Sequence, residues 1–127
     1  MKKLILAVFI IPFSVLLHAQ HDFKPGYVVT LNNDTIRGYI DNNPAQENAI
    51  QCNFKKDSVS DIKTYKASEL KEFAFNESKH YYSKNVKMSN TAAPYFLECI
   101  SQGIISLYCM KNFGNTYFFI EKSTEIY

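Results

Sequence analysis

The stretch that decides the fold is YVVTLNNDTIRGYI, residues 27–40, in which two short apolar runs flank a polar turn. Alternating apolar residues on both sides of a turn rich in Asn and Asp are typical of a β-hairpin. A two-residue loop at Asn33-Asp34 would place Leu31 opposite Ile36 and Val29 on the same apolar face. Asn and Asp also tolerate the left-handed backbone that this turn requires. We therefore predict a hairpin with this register.

Further short runs of alternating or aromatic residues follow at near-regular spacing, separated by polar turns. The residues from Ser89 to Pro94 show no pattern and predict a loop, and residues 67–71 predict at most one helical turn. Many short strands without a long helix are typical of all-β domains. The predicted fold class is all-β, as a small antiparallel barrel or sandwich of about seven or eight strands.

A second hairpin is predicted at residues 95–110, where two apolar runs flank Ser-Gln-Gly at 101–103. A three-residue loop would place Cys99 opposite Ile105, with the glycine at the left-handed position of a bulged turn. The aromatic run at residues 116–120 predicts a further strand. We expect this strand in the centre of the sheet.

The first twenty residues, MKKLILAVFIIPFSVLLHAQ, have the layout of a secretory signal peptide. Two lysines precede an unbroken apolar run, and Ala19 supplies the small residue that signal peptidase requires. We predict residues 1–19 as the signal peptide and residues 20–127 as a single β-domain beginning at Gln20. The apolar run is shorter than the ~20 residues of a typical membrane span, although an uncleaved anchor stays open. The expected location is the periplasm or cell envelope, with no transmembrane span in the mature chain.

The charge balance of the mature chain argues against nucleic acid as a partner. Without Lys2 and Lys3, 12 basic residues stand against 12 acidic ones. Nucleic-acid-binding proteins need clustered Lys and Arg to displace counterions from phosphates. We therefore expect no nucleic-acid partner.

Three cysteines, Cys52, Cys99 and Cys109, cannot all pair within one chain. A disulfide between Cys52 and one of the others is an open alternative in an oxidising compartment. The favoured interpretation is buried thiols that fill apolar space, because the predicted register places Cys99 and Cys109 on an apolar face.

No catalytic or cofactor motif is found in the sequence. The mature chain has two histidines, His21 and His80, and no CxxC or HxxxH spacing, so neither a metal nor a cofactor is expected. Glu98 alternates with apolar neighbours and is expected on the solvent face, whereas a buried carboxylate there would permit acid–base hydrolysis. We predict no enzymatic activity and keep a hydrolase as the unfavoured alternative.

Aromatic side chains have the greatest binding potential in this sequence. Adjacent aromatic residues in a strand point to opposite faces, so one of Tyr81 and Tyr82, and one of Phe118 and Phe119, should face away from the main core. An outward set could bind sugar, peptide or another domain, and packing beneath a covering layer is the favoured alternative. The candidate contact surface comprises Tyr81, Tyr82, Tyr108 and Phe118.

The block PGYVVTLNNDTIRGYID at residues 25–41 occurs together with FLE at 96–98, SLY at 106–108 and YFFIEK at 117–122. These stretches resemble a family of uncharacterised exported proteins of Gram-negative bacteria. In that family the module often precedes a region similar to an outer-membrane β-barrel, so the resemblance implies attachment to such a barrel if this chain is a fragment. It implies no activity and no catalytic residues. Residues 29–40 are also similar to the first hairpin of small SH3-like or Sm-like barrels.

Three functions follow as hypotheses. The leading one is an exported, non-enzymatic envelope domain with an interaction or structural role and an unknown envelope protein or glycan as its partner. The second is a glycan- or peptide-binding module with a groove lined by outward tyrosines. The third is the hydrolase, which requires two carboxyl groups in one pocket.

Overall fold

The computed structural model describes residues 21–123 of the chain. The predicted signal peptide and Gln20 lie outside the described residues, as do residues 124–127. The described part contains nine strands and one short helix. They are β1 (Phe23–Thr30), β2 (Thr35–Asp41), α1 (Ala45–Asn48), β3 (Gln51–Lys55), β4 (Lys63–Lys66), β5 (Leu70–Phe75), β6 (His80–Met88), β7 (Thr91–Ser101), β8 (Ile105–Asn112) and β9 (Asn115–Lys122).

All nine strands belong to one antiparallel sheet in the order β4-β3-β2-β1-β5-β6-β7-β8-β9. The all-β prediction is confirmed, with nine strands instead of seven or eight. The sheet is open, because β4 ends it on one side and β9 on the other. The single helical turn lies at Ala45–Asn48, whereas residues 67–69 form a non-helical turn.

The loop predicted from Ser89 to Pro94 is wrong, because residues 91–94 belong to strand β7. β6 and β7 continue to a two-residue turn at Ser89-Asn90, where Met88 pairs with Thr91. Ser89 adopts a φ of 56°, which gives the turn the positive φ that hairpin loops of this length require. The turn is difficult to predict from the sequence, because the residue with positive φ is Ser89 and not the glycine that is usual at this position of a hairpin loop.

The first hairpin forms, but its predicted register is wrong. The loop has three residues, 31–33, because the Thr30 N–H donates to the Asp34 carbonyl oxygen at 2.9 Å. Ile36 therefore pairs with Val28, which is fully buried, and not with Leu31, which is exposed. Residues 27–29 are all apolar, so their pattern is compatible with either face of β1 pointing inward.

Two glycines face each other at the centre of this hairpin. Gly26 of β1 pairs with Gly38 of β2. A Cβ on Gly26 would lie 2.3 Å from the carbonyl oxygen of Ala74 in β5, and one on Gly38 would lie 2.2 Å from that of Lys55 in β3. The backbones of β5 and β3 thus approach the two glycines more closely than a side chain at either position would permit.

The first core lies on the face that contains both glycines. β4 and β5 stand at opposite ends of the order β4-β3-β2-β1-β5, but only residues 67–69 connect them. In a flat sheet these two strands would lie about 19 Å apart, whereas this connection spans at most about 14 Å. The five strands must therefore curl around their inner face. The enclosed side chains are those of Val28, Ile40, Cys52, Phe54, Tyr65, Ala67, Leu70, Phe73, Phe75, Tyr81 and Phe96.

The second core lies on the opposite face of the sheet, between β6 and β9. Adjacent residues of β6 serve different cores, since Tyr81 enters the first and Tyr82 packs against the second. Lys84 of β6 reaches Glu121 of β9 across this second face, with Nζ 2.7 Å from Oε2, so the sheet bends toward it. The buried members are Ala49, Val86, Leu97, Tyr108 and Met110, with Tyr82, Met88, Tyr95, Cys99 and Phe119 packed against them.

Helix α1 and the residue after it fill the gap where β7 and β8 separate. β7 pairs with β8 only from Glu98 onward, and before that point the Phe96 N–H donates to the Ala49 carbonyl oxygen at 2.9 Å. The buried Asn48 amide donates to the Tyr81 hydroxyl at 3.4 Å. This short segment therefore connects the two cores.

The C-terminal strands also differ from the prediction. Cys99 pairs with Tyr108 and not with Ile105, and the pairing shifts between Cys99 and Ser101. The turn at residues 112–115 forms as predicted. β9 is an edge strand and not a central one, because it is the last strand of a meander and no strand within residues 21–123 lies beyond it.

We predict that Gly38→Ala destabilises the protein by about 1–3 kcal/mol, the usual cost of forcing extra atoms into a packed interior. The added methyl group would meet the Lys55 carbonyl and the Phe54 ring, 2.6 Å away. Urea denaturation followed by circular dichroism measures the change.

Gly103→Ala is the matched control. The nearest atom to its Cβ would be the Ile105 carbonyl oxygen at 3.8 Å, so stability should change by less than about 0.5 kcal/mol. If the free energy of unfolding fell equally in the two variants, the result would contradict the close approach of the Lys55 carbonyl to Gly38.

Candidate functional site

Two of the four residues predicted as a contact surface are buried, and for them the prediction is wrong. Tyr81 is 2% exposed, and its ring stacks on Phe73 with centroids 4.6 Å apart. Burial raises the pKa of Tyr81 to about 12. Tyr108 lies in the second core. The physical reason is that β6 and β7 contribute residues to a core on each face of the sheet, and Tyr108 of β8 lies on the face of the second core.

The alternation of the aromatic pairs is nonetheless confirmed. Tyr82 points away from the first core, opposite to Tyr81, and remains partly exposed. Phe118 points away from the second core and is 65% exposed, whereas Phe119 packs against that core. Tyr82 and Phe118 are therefore the predicted residues that can meet a partner, and they lie on opposite faces of the sheet.

Tyr82 belongs to a row of rings that we call the aromatic strip, formed by Tyr27, His80, Tyr82 and Tyr108. The ring centroids lie 5.8 Å apart for Tyr27 and His80, 5.5 Å for His80 and Tyr82, and 6.0 Å for Tyr82 and Tyr108. The Tyr27 hydroxyl and His80 Nε2 share a hydrogen bond. The strip thus places aromatic rings together with polar atoms along one face of the sheet, with Tyr108 at its buried end.

Charged side chains flank the aromatic strip. The Arg37 guanidinium lies 5.8 Å from the centre of the Tyr27 ring, and Lys84 Nζ lies 5.2 Å from that of Tyr108. Burial, followed by the negative charge of Glu72, raises the pKa of both Tyr27 and Tyr82. Both hydroxyls therefore stay protonated and can donate hydrogen bonds at neutral pH.

The aromatic strip opens into a cleft of about 390 Å³ beside the β5–β6 turn. Tyr27, His80 and Phe75 line it together with residues 76–78 of the turn. A second, larger cleft of about 560 Å³ lies on the other side of the same turn. The sequence does not predict Tyr27 or His80 as site residues, because the predicted hairpin register turns Tyr27 toward the core together with Val29 and Leu31, and His80 is considered there only as a metal ligand. The two glycines of the first hairpin are the signal that could have corrected the predicted orientation of Tyr27. When Gly26 is opposite Gly38, Tyr27 pairs with Arg37.

An exposed apolar surface lies on the other face, at the C-terminal end of the sheet. We call it the outer patch and define it by Ile105, Leu107, Phe118 and Ile120. Leu107 pairs with Ile120, and Phe118 pairs with the buried Cys109. Phe118 is 65% and Ile120 74% exposed. Large apolar side chains grouped in this way are typical of interaction surfaces.

Glu98, the carboxylate considered for hydrolysis, and the buried Asp41 each have a local partner. Glu98 is partly exposed, and its Oε2 lies 3.7 Å from Lys79 Nζ. The buried Asp41 carboxylate lies 2.5 Å from His21 Nδ1 and accepts the Asp22 N–H at 3.0 Å. Glu98 on β7 and Asp41 at the end of β2 thus belong to separate pairs.

Within residues 21–123, no three His, Cys, Asp or Glu side chains converge as metal ligands do. No helix in that range has the length and apolar character needed to cross a membrane.

The three cysteines are free thiols. Cys52 lies in the first core, so the disulfide that the sequence left open is not formed. Cys99 and Cys109 lie on opposite faces, because Cys99 pairs with Tyr108, the residue before Cys109; the predicted shared face is wrong. Burial raises the pKa of Cys52 to about 12 and also raises the pKa values of Cys99 and Cys109. This shift is opposite to the activation that a cysteine nucleophile needs.

We predict that a soluble aromatic disulfide reagent at pH 8 modifies Cys99 first and Cys52 only when the protein unfolds. Cys99 is partly exposed, whereas Cys52 is buried and carries the larger rise in pKa. Absorbance of the released thiolate gives the rates. Cys99→Ser should remove the fast phase, and a fast phase that persists in this variant would contradict the assignment.

Comparison of the chain with models of known protein families, with curated proteins and with solved structures finds no match in any of the three. The resemblance to exported Gram-negative proteins therefore stays a prediction.

Proposed function

We propose that the chain is an exported, non-enzymatic domain of the Gram-negative cell envelope that acts as an interaction module through the outer patch. The observation that carries this proposal is the exposure of Phe118 and Ile120 side by side with Leu107. A folded domain that leaves such side chains in water forgoes about 25 cal/mol for each Å² of apolar surface, which a bound partner would recover. The patch thus has an energetic reason to be covered.

Export is supported by the sequence and not by the fold. Residues 1–19 combine a basic start, an apolar run and Ala19 before the expected cleavage. The resemblance of residues 25–41 to exported proteins points to the same compartment. The periplasm or the envelope is therefore where a partner should be sought.

The full chain with Phe118→p-benzoylphenylalanine is expressed in a Gram-negative host whose genome encodes this protein, and the cells are irradiated. We expect the variant to form covalent adducts with its partner. The photoreactive ring would lie on the outer patch, within reach of any bound protein. Mass spectrometry of the periplasmic and envelope fractions identifies the adducts and the N-terminus, which should be Gln20.

Val59→p-benzoylphenylalanine is the matched control. Val59 is 90% exposed but lies in the β3–β4 turn, away from the outer patch. The absence of adducts specific to position 118 would overturn the interaction role, and recovery of the chain only from the cytoplasm would overturn export.

A glycan-binding module is a second candidate, favoured by the aromatic strip. Tyr27, His80 and Tyr82 combine ring edges with hydroxyl and imidazole groups next to a cleft. Binding sites of this kind place a few polar groups on a mostly apolar wall. This candidate uses the face opposite to the outer patch, so both functions can coexist.

If the aromatic strip binds glycan, soluble peptidoglycan fragments should change the tyrosine fluorescence in a saturable way. The chain has nine tyrosines and no tryptophan, so tyrosine emission is not masked. Tyr27→Ala should abolish the change, whereas Tyr39→Ala, at an exposed tyrosine outside the strip, should leave it. Equal titrations for the two variants would exclude the strip as the site.

A further inference from the structure

We infer that two copies of this chain associate through β9, edge to edge and antiparallel, so that the sheet continues from one copy into the other. This inference rests on the proposed function and names the partner of the outer patch. Three features support this inference: the backbone groups on the outer edge of β9, the side chains of β9, and the register in which a two-fold axis would pair two copies of the strand.

The free edge of β9 offers a row of backbone hydrogen-bonding groups. In an antiparallel ladder, alternate residues direct N–H and C=O toward the same neighbour. The Ser123 N–H donates to the Ile104 carbonyl oxygen at 2.8 Å, so the odd-numbered residues of β9 face β8. The even-numbered residues face outward, and no strand among residues 21–123 lies there to pair with them. These residues are Thr116, Phe118, Ile120 and Lys122.

The two edges of the sheet differ in a way that singles out β9. Natural edge strands avoid pairing with other chains by being short or by carrying charged residues. β4 has both protections, since it has four residues, two of which are Lys63 and Lys66. β9 has eight residues, and none of those from Tyr117 to Ile120 is charged. Only β9 is therefore suited to pair with a further strand.

Two copies of β9 can pair with each other in a register in which apolar residues lie opposite apolar residues. A two-fold axis perpendicular to the sheet at Phe119 pairs Phe118 of each copy with Ile120 of the other, and Thr116 with Lys122. Both pairs consist of residues that direct their backbone groups outward, so the hydrogen bonds and the apolar contacts agree. The two most exposed apolar residues of the strand then cover each other on the outer patch.

Registers centred closer to the C-terminal end of β9 are less favourable because of charge. An axis at Glu121 would place the two Glu121 carboxylates opposite each other, and an axis at Ile120 would place Phe118 against Lys122. The axis at Phe119 opposes no like charges. Strand pairing with this patch lies near the lower size limit of specific interfaces, so we expect a dissociation constant on the order of micromolar.

Sedimentation velocity of the purified protein over about 1–300 μM is the test, and it should show a monomer–dimer equilibrium near the micromolar range. Phe118→Lys should weaken the dimer about tenfold or more, because both apolar pairs are lost. Val59→Lys, which adds the same charge in the β3–β4 turn, should have no effect. Wild-type protein that stays monomeric throughout would overturn the inference.

Amide hydrogen exchange of the wild-type protein tests the register without any substitution. The amides of Phe118 and Ile120 should gain protection as concentration rises, whereas those of Tyr117 and Phe119 should be protected at every concentration. Dimerisation without new protection at Phe118 and Ile120 would overturn the edge-to-edge arrangement. A monomer that still forms adducts with another protein from position 118 in cells would overturn self-pairing and leave the proposed function intact.

Discussion

The close approach of strands at Gly26 and Gly38 is the constraint on which the rest of the structure depends. The two glycines are opposed in the first hairpin, and the carbonyl groups of Ala74 and Lys55 occupy the places where their side chains would begin. This approach lets β3 and β5 fold inward on the two sides of the hairpin. The curl that follows brings β4 within the span of the three-residue connection to β5 and encloses the first core. This core contains Phe73, the aromatic residue on which Tyr81 stacks.

The sheet has two cores on opposite faces, and this explains which aromatic residues are available for binding. β6 and β7 contribute residues to both cores, and Tyr81 is not available as a contact residue because its side chain enters the first core. Beyond β7 the same face continues onto β8 and β9, neither of which contributes a described residue to the first core. Phe118 and Ile120 are exposed because they lie on this continuation.

The aromatic strip and the outer patch offer different chemistry. The strip combines rings with hydroxyl, imidazole and charged groups, which suits a polar ligand. The patch combines apolar side chains with a strand edge that no strand of residues 21–123 pairs with, and this combination suits another polypeptide. Because the two surfaces lie on opposite faces, a partner strand on β9 would not displace a ligand from the strip.

The sequence by itself determined the all-β class, the existence of both hairpins, the turn at residues 112–115 and the opposite directions of Tyr81 and Tyr82, because each depends on local alternation or turn chemistry. It did not determine the registers, the place of β9 or the burial of Tyr81 and Tyr108. Residues 27–29 are apolar at consecutive positions, so either face of β1 could turn inward until the opposed glycines and strands β3 and β5 select one. Likewise, Tyr81 and Tyr108 are buried only because the sheet bends in two directions and packs a core on each side, which is decided by contacts between residues distant in the chain.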